Sequence, residues 1–119
     1  MAAERGINNA APAEAVVWLR LLTERVLDPL RRAWGGPLRV TSGYRCPALN
    51  RAVGGATRSQ HLLGQAADIT AGSRSDNLRL LALLKHLQLP VDQVINEHGG
   101  RWLHISYGPR HRRQFLSID

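Results

Sequence analysis

Two histidines and one aspartate are the residues of this chain best suited to chemistry. His61 and Asp68 are separated by six residues, among them Gly64, and His104 lies in an alternating segment further along. Two neutral imidazoles and one carboxylate suit zinc and leave a fourth position for water, as in catalytic sites. A turn at Gly64 would bring His61 back over the start of the next strand. The same spacing also occurs among unrelated polar residues, so a metal site and a chance spacing are both open interpretations.

A β-hairpin is predicted around Gly99-Gly100, between alternating segments at residues 91–97 and 102–107. A two-residue turn would pair Ile95 with His104 and Glu97 with Trp102. Glu97 and His104 would then share a face as diagonal neighbours, with Cα atoms roughly 7–8 Å apart. Glu97 would be placed to act as a general base beside a metal ion. A solvated charge at the hairpin tip is the alternative interpretation.

Apolar periodicity predicts two main helices. Apolar residues recur at spacings of three and four over residues 12–32, with a bend near Pro29. A second helix is predicted to begin at a Ser75 cap and to end before Pro90.

Shorter elements connect these helices. Residues 38–41 and 65–70 favour strands, and Pro47 opens one or two helical turns. The order of elements and the antiparallel hairpin together predict an α+β fold, with a small antiparallel sheet packed against two main helices.

Length and composition predict one domain over residues 1–119, with flexible tails at 1–11 and 110–119. No apolar run approaches the roughly 18–20 residues of a membrane span, so we expect no membrane insertion. The start of the sequence lacks the features of a secretory signal, which predicts synthesis in the cytoplasm. The single cysteine, Cys46, excludes an intrachain disulfide. A monomer is expected.

The net charge of +7 indicates an anionic partner such as nucleic acid, a membrane surface or an acidic wall polymer. The arginines are scattered along the chain, with small clusters only at Arg31-Arg32 and at residues 110–113. No basic run is interleaved with aromatic residues, which disfavours nucleic-acid binding.

Three linked motifs resemble those of the zinc D-alanyl-D-alanine carboxypeptidase family (peptidase M15-like), in particular its phage and bacterial peptidoglycan-hydrolase branch. The motifs are T-S-G-Y-R-C-P at residues 41–47, S-Q-H-L-L-G-Q-A-A-D at 59–68 and W-L-H at 102–104. They match the family pattern S-x-H-x-x-G-x-A-x-D followed by W-x-H. The resemblance covers about residues 12–107 and implies the zinc D,D-peptidase (hedgehog-like) fold.

The resemblance implies roles for individual side chains. One zinc ion would be held by three of them: His61, Asp68 and His104. Arg45 would point its guanidinium into the cleft and bind the substrate carboxylate or the developing oxyanion. Ser59 would hydrogen-bond the peptide substrate or brace the metal-binding loop. Trp102 shares the catalytic face by register, either as a wall of the cleft or as a packing residue.

The general base is where this chain departs from members of the family that it resembles. Many of them place an acidic residue or a histidine a few positions before the last ligand, whereas here Arg101 stands three positions before His104. Glu97 resembles the acid that ends the preceding strand in short phage-type members. We therefore predict Glu97 as the base, with His98 as the alternative.

The implied activity is zinc-dependent hydrolysis of amide bonds in peptidoglycan peptides, of carboxypeptidase or endopeptidase type, including an endolysin-like role. The alternative is a non-catalytic, zinc-containing module that binds cell walls or forms part of a phage particle. The expected partner is peptidoglycan peptides, met at the cell wall after release or as part of a virion.

Overall fold

A computed structural model describes residues 10–53 and 59–118. The chain opens with a long helix made of α1 (Ala13–Leu22), a π-helical segment (Thr23–Leu27) and α2 (Asp28–Trp34). Pro29 has no N–H to donate to the preceding turn, and the wider π turn lies just before it. The predicted helix over residues 12–32 is therefore present, with its irregularity next to Pro29.

Three further helices follow. They are α3 (Pro47–Ala52), a 3₁₀ helix (Gln60–Leu63) and α4 (Arg74–Leu87). No helix in the described part of the chain combines the length and the apolar character needed to cross a membrane.

Within residues 10–53 and 59–118, five strands form one sheet in the order β1-β2-β4-β3-β5. They are β1 (Arg39–Ser42), β2 (Ala66–Thr70), β3 (Gln93–Glu97), β4 (Trp102–Ser106) and β5 (Gln114–Ile118). Neighbouring strands are antiparallel except β3 and β5, which pair in parallel. The predicted α+β class is confirmed.

One face of the sheet carries the hydrophobic core. Ile69 of β2 and Leu103 and Ile105 of β4 are buried there against the long N-terminal helix and α4. Side chains alternate along a strand, so Asp68, next to Ile69, and His104, between Leu103 and Ile105, lie on the opposite face. The packing that builds the core therefore leaves that opposite face for a functional site.

The β3–β4 hairpin has the predicted register but a different turn. Ile95 pairs with His104 and Glu97 with Trp102, as the alternation indicates. The predicted two-residue turn is wrong, because residues 98–101 all lie between the strands. The N–H groups of residues 100 and 101 both donate to the carbonyl of Glu97, and His98 donates its N–H to Ile118 of β5.

The prediction of a flexible tail at residues 110–119 is wrong for most of that segment. Residues 114–118 form β5, and Phe115 packs against the core. The guanidinium of Arg112 donates two hydrogen bonds to the buried carboxylate of Asp92, at 2.6 and 3.0 Å. The prediction for residues 1–11 falls almost entirely outside the described residues.

The start of α4 differs from the prediction. Ser73, rather than Ser75, is the N-cap, and its Oγ accepts a hydrogen bond from the N–H of Asp76. The helix ends at Leu87, before Pro90 as predicted, and the C-cap residue Gln88 has a left-handed conformation.

Gly64 closes the 3₁₀ helix against α1. Its φ of +73° is a left-handed conformation, and a Cβ at this position would overlap the carbonyl oxygen of Ala15. Gly35 has the same φ of +73° after α2, but a Cβ there would meet no atom within 4 Å among the described residues. Substitution of Gly35 therefore tests the left-handed backbone conformation alone, whereas substitution of Gly64 tests that conformation together with the close contact with Ala15.

We predict that Gly35→Ala lowers the free energy of unfolding by about 1–2 kcal/mol, the cost of a left-handed residue with a side chain. Gly64→Ala should lower it by an additional ~1–3 kcal/mol, because α1 and the 3₁₀ helix must also move apart. Urea unfolding of the two variants measures both values. Equal losses would contradict the close packing of Gly64 on α1.

Candidate metal centre

His61 is held in one orientation by the segments around it. It lies in the 3₁₀ helix, where the Oγ of Ser59 caps the first turn by accepting a hydrogen bond from the His61 N–H at 3.2 Å. Its ring is 1% exposed, and its Nδ1 lies 2.6 Å from the carbonyl oxygen of Gly43. A carbonyl only accepts, so Nδ1 carries the hydrogen and the lone pair of the neutral ring is at Nε2.

Asp68 and His104 come together through strand pairing. They are opposite each other in the β2–β4 ladder, on the face away from the core. Asp68 Oδ1 lies 3.1 Å from His104 Nδ1 and 3.2 Å from His61 Nε2. One ligand atom from each of the three residues lies within 4.8 Å of the other two. The predicted convergence of these side chains is therefore confirmed.

The donor atoms fit a zinc ion. Since His61 Nδ1 donates to Gly43, Nε2 of the neutral ring and Asp68 Oδ1 are two acceptors facing each other, an arrangement that a cation between them relieves. Bonds of roughly 2.0–2.1 Å in a tetrahedron place ligand atoms about 3.3 Å apart, close to the spacings around Asp68. Three protein ligands of this kind are typical of catalytic zinc sites.

The carboxylate of Asp68 is held in its ionised form. Burial acts to raise its pKa, but hydrogen bonds and positive charge from the rings of His104 and His61, in their protonated forms, outweigh that effect and hold the pKa well below the usual range of an aspartate. A zinc ion supplies positive charge at the same place when the rings are neutral. An ionised carboxylate is the form that binds a metal ion.

Arg45 lies beside the three residues. Its N–H donates to the carbonyl of His61 at 2.9 Å, which joins the two segments. Burial lowers the pKa of its guanidinium, while the charges of Asp68 and Glu97 act to raise it. Its Nε is buried and has no hydrogen-bond partner among the described residues.

Glu97 and its neighbours occupy the tip of the hairpin. The carboxylate of Glu97 accepts a hydrogen bond from the indole N–H of Trp102, which fixes its direction. The ring of His98 is exposed and packs against Trp102 with centroids 4.7 Å apart. Of the two predicted bases, Glu97 is partly buried and interacts electrostatically with Arg45, whereas His98 is exposed.

A groove of about 740 Å³ opens beside Asp68 and Trp102. It runs along β1 and the end of β2 towards the hairpin turn and is lined by Thr41, Thr70 and Arg101, among others. Its volume is in the range of ligand-binding clefts. Trp102 thus walls the cleft, one of the two positions that its register allowed.

Two supports of the site were missed by the sequence interpretation. The first is the carbonyl of Gly43, a backbone group that no side-chain pattern reveals. The second is Asp92, which accepts a hydrogen bond from the side chain of Gln60 at 3.0 Å as well as those from Arg112. Gln60 precedes His61, so the C-terminal segment is connected to the metal-binding turn. A lone acid in the apolar segment 91–95 was the signal available in the sequence.

The class of protein that this site indicates is a single-metal hydrolase. Two histidines and a carboxylate converge where one metal ion could bind, with an arginine and a second carboxylate nearby. The sequence profile of the peptidase M15 family matches residues 1–106, and the chain belongs to this family. A segment of 55 residues is 44% identical to a zinc D-Ala-D-Ala carboxypeptidase from Streptomyces albus G. That segment covers 45% of this chain and 22% of the relative, so the match spans about a fifth of the relative's length. The resemblance found in the motifs is confirmed.

We predict that Zn²⁺ stabilises the protein and that Asp68→Ala and His104→Ala abolish the effect. A ligand that binds only the folded state at 100 times its Kd adds about 2.7 kcal/mol to the free energy of unfolding. Thermal unfolding with and without zinc, after treatment with a chelator, measures this shift. His86→Ala, at an exposed position of α4, is the matched control and should retain it. A full zinc shift in Asp68→Ala would contradict the site.

Asp92 makes a separate contribution that depends on pH. Hydrogen bonds from Arg112 and Gln60 lower the pKa of Asp92 against the opposing effect of burial. A lowered folded-state pKa adds stability above the unfolded value of about 3.9, and that stability is lost as the pH falls below it. Asp92→Asn should therefore be less stable than the wild type at pH 7, with a difference that narrows towards pH 3.

Urea unfolding between pH 3 and pH 7 tests this expectation. The control is Asp76→Asn, which removes the carboxylate of an exposed ion pair with Arg79 and should change stability little at any pH. A constant difference between Asp92→Asn and wild type over this range would contradict it.

Proposed function

We propose that this protein is a zinc-dependent peptidase that hydrolyses amide bonds in peptidoglycan peptides, of D-Ala-D-Ala carboxypeptidase or endopeptidase type. The observation that carries the proposal is the meeting of His61 Nε2, Asp68 Oδ1 and His104 Nδ1 beside an open groove. Membership of the peptidase M15 family and the partial match to a zinc D-Ala-D-Ala carboxypeptidase support the reaction class.

His61, Asp68 and His104 would hold the zinc ion. When bound, zinc lowers the pKa of a water molecule to about 7 and polarises a carbonyl group. The protein prepares these ligands in advance. The Gly43 carbonyl keeps the proton of His61 on Nδ1, and the low pKa of Asp68 keeps its carboxylate ionised.

Glu97 is the proposed general base. It lies diagonally across the β3–β4 ladder from His104, on the same face of the sheet. Its carboxylate would accept the proton of the attacking water and return it to the nitrogen of the leaving amine. The indole N–H of Trp102 holds one carboxylate oxygen, which leaves the other free to take part in proton transfer.

Arg45 is the proposed anion-binding residue. Its guanidinium lies beside Asp68 and Glu97, and its buried Nε–H has no partner among the described residues. It would donate hydrogen bonds to the oxyanion of the tetrahedral intermediate or to the terminal carboxylate of the peptide. The second role would give carboxypeptidase action.

Ser59 has a supporting role in this proposal. Its Oγ already accepts the hydrogen bond from the N–H of His61, so we assign it to bracing the metal-binding turn. Trp102 contributes both by holding Glu97 and by walling the groove that receives the peptide.

The proposed place of action is the bacterial cell wall. The net charge of +7 favours adhesion to anionic wall polymers, and salt should weaken that adhesion. The protein would reach the wall after release from the cell, as an endolysin does, or as part of a phage particle. Adhesion through positive charge would assist in both cases.

We predict that Glu97→Gln lowers kcat by about 10²–10⁴-fold on a synthetic peptide ending in D-Ala-D-Ala, because the base is lost while the volume is kept. Release of the terminal residue, followed by mass spectrometry, measures the rate. The zinc-induced shift in unfolding temperature should be retained. Glu24→Gln, at an exposed position of the N-terminal helix, is the control and should keep full activity.

Undiminished cleavage by Glu97→Gln would remove Glu97 from the mechanism. The same assay separates the non-catalytic alternative. A metal-loaded wild type that sediments with purified cell walls but releases no fragment from peptides or walls would favour a binding module over a peptidase.

A further inference from the structure

The end of the groove distant from the metal ligands carries two arginines. Arg39 lies on β1 and Arg101 in the turn between β3 and β4, and both line the groove that begins at Asp68. Neither guanidinium forms an ion pair with any residue in the described ranges 10–53 and 59–118. Asp68 is the one acidic residue among the described residues that line the groove, and it lies at the other end, beside His61 and His104. The distant end of the groove is therefore positively charged.

A buried amide fixes this end of the groove. Asn77 of α4 is 0% exposed, and its Nδ2 donates to the carbonyls of Gly100 and Arg101, at 2.9 Å each. Its Oδ1 accepts from the N–H of Ala71, just after β2, at 2.6 Å. One side chain thus joins the helix, the end of β2 and the hairpin turn. Such a fully bonded polar group sets the position of the backbone that carries Arg101.

The two arginines lie at a defined distance from the metal ligands. Arg39 pairs with Thr70, which is two residues beyond Asp68 on β2, or about 7 Å along the strand. Arg101 is three residues before His104, which corresponds to about 10 Å. An extended peptide advances about 3.3 Å per residue, so these distances equal two or three residues of a bound peptide.

We propose that Arg39 and Arg101 form a carboxylate-binding subsite that selects peptides with an acidic group two or three residues from the cleaved bond. The proposal rests on the proposed peptidase function and names a feature of its substrate. Guanidinium groups bind carboxylates through paired, charge-assisted hydrogen bonds. Because Asn77 already holds the backbone of Arg101 in place, binding of a peptide there costs less conformational entropy.

Binding of matched peptides to zinc-loaded protein tests the subsite. Each pair of peptides ends in D-Ala-D-Ala and differs only in a free carboxylate or a carboxamide on the side chain two or three residues from the cleaved bond. Isothermal titration calorimetry in the Glu97→Gln background measures the Kd without turnover. We expect the carboxylate peptide of at least one pair to bind about ten-fold more tightly than its carboxamide, with a preference that weakens in salt.

Arg39→Gln and Arg101→Gln should each reduce this preference, and the double variant should bind both peptides equally. Arg20→Gln, at an exposed position of α1 on the core side of the sheet, is the control and should keep the preference. Equal binding of acid and amide peptides by the unsubstituted groove would overturn the subsite, as would a preference that survives in the double variant or failure of every peptide to bind.

Cleavage by protein with Glu97 intact is measured in parallel: the presence of cleavage tests the proposed function, and the ratio of kcat/KM between acid and amide peptides tests the subsite. A carboxylate preference in binding without cleavage would remove the peptidase activity and leave the subsite. Cleavage at equal kcat/KM for acid and amide peptides would leave the activity and remove the subsite.

Discussion

The hydrogen bond from His61 Nδ1 to the carbonyl of Gly43 is the interaction on which the site depends. It decides which nitrogen of the buried ring faces Asp68, because only one tautomer can donate to a carbonyl. It also ties the segment after β1 to the 3₁₀ helix, and the N–H of Arg45 adds a second bond to the same helix. Since Gly64 lets this helix pack directly on α1, the orientation of one ring is set by the main packing of the domain.

The strand register places the other ligands and forms the core at the same time. Pairing of β2 with β4 sets Asp68 opposite His104 on one face, and it sets Ile69 opposite Leu103 on the other. A slip by one residue would expose the apolar pair and bury the polar one, so the hydrophobic core strongly favours the register that forms the metal centre. The burial of apolar side chains thus keeps His61 Nε2 and Asp68 Oδ1 close together. These two acceptor atoms repel each other until a cation or a proton is bound between them.

Much of this arrangement follows from local sequence. A turn centred on Gly99-Gly100 predicts the pairing of Ile95 with His104, and alternation along the strands puts both side chains on one face. The position of β5 did not follow, since a short strand at a chain end has no local signal for its partner. The contacts that hold β5 are distant in sequence: it pairs with β3, and the neighbouring Arg112 binds Asp92, 20 residues away. Likewise, Asn77 is a polar residue on the apolar face of α4. The helical periodicity shows that its side chain is on the buried face, but not which carbonyls it binds.

The site and the groove are braced separately. The metal-binding turn is held by Gly43, by Gly64 and by the contact of Gln60 with Asp92, whereas the distant end of the groove is held by Asn77. The residues that brace one part make no described hydrogen bond to those that brace the other, and they come from different segments of the chain. Effects of substitutions at sites without shared partners usually add. Metal affinity and peptide preference can therefore change independently in this fold, with Asp68 as the residue common to both.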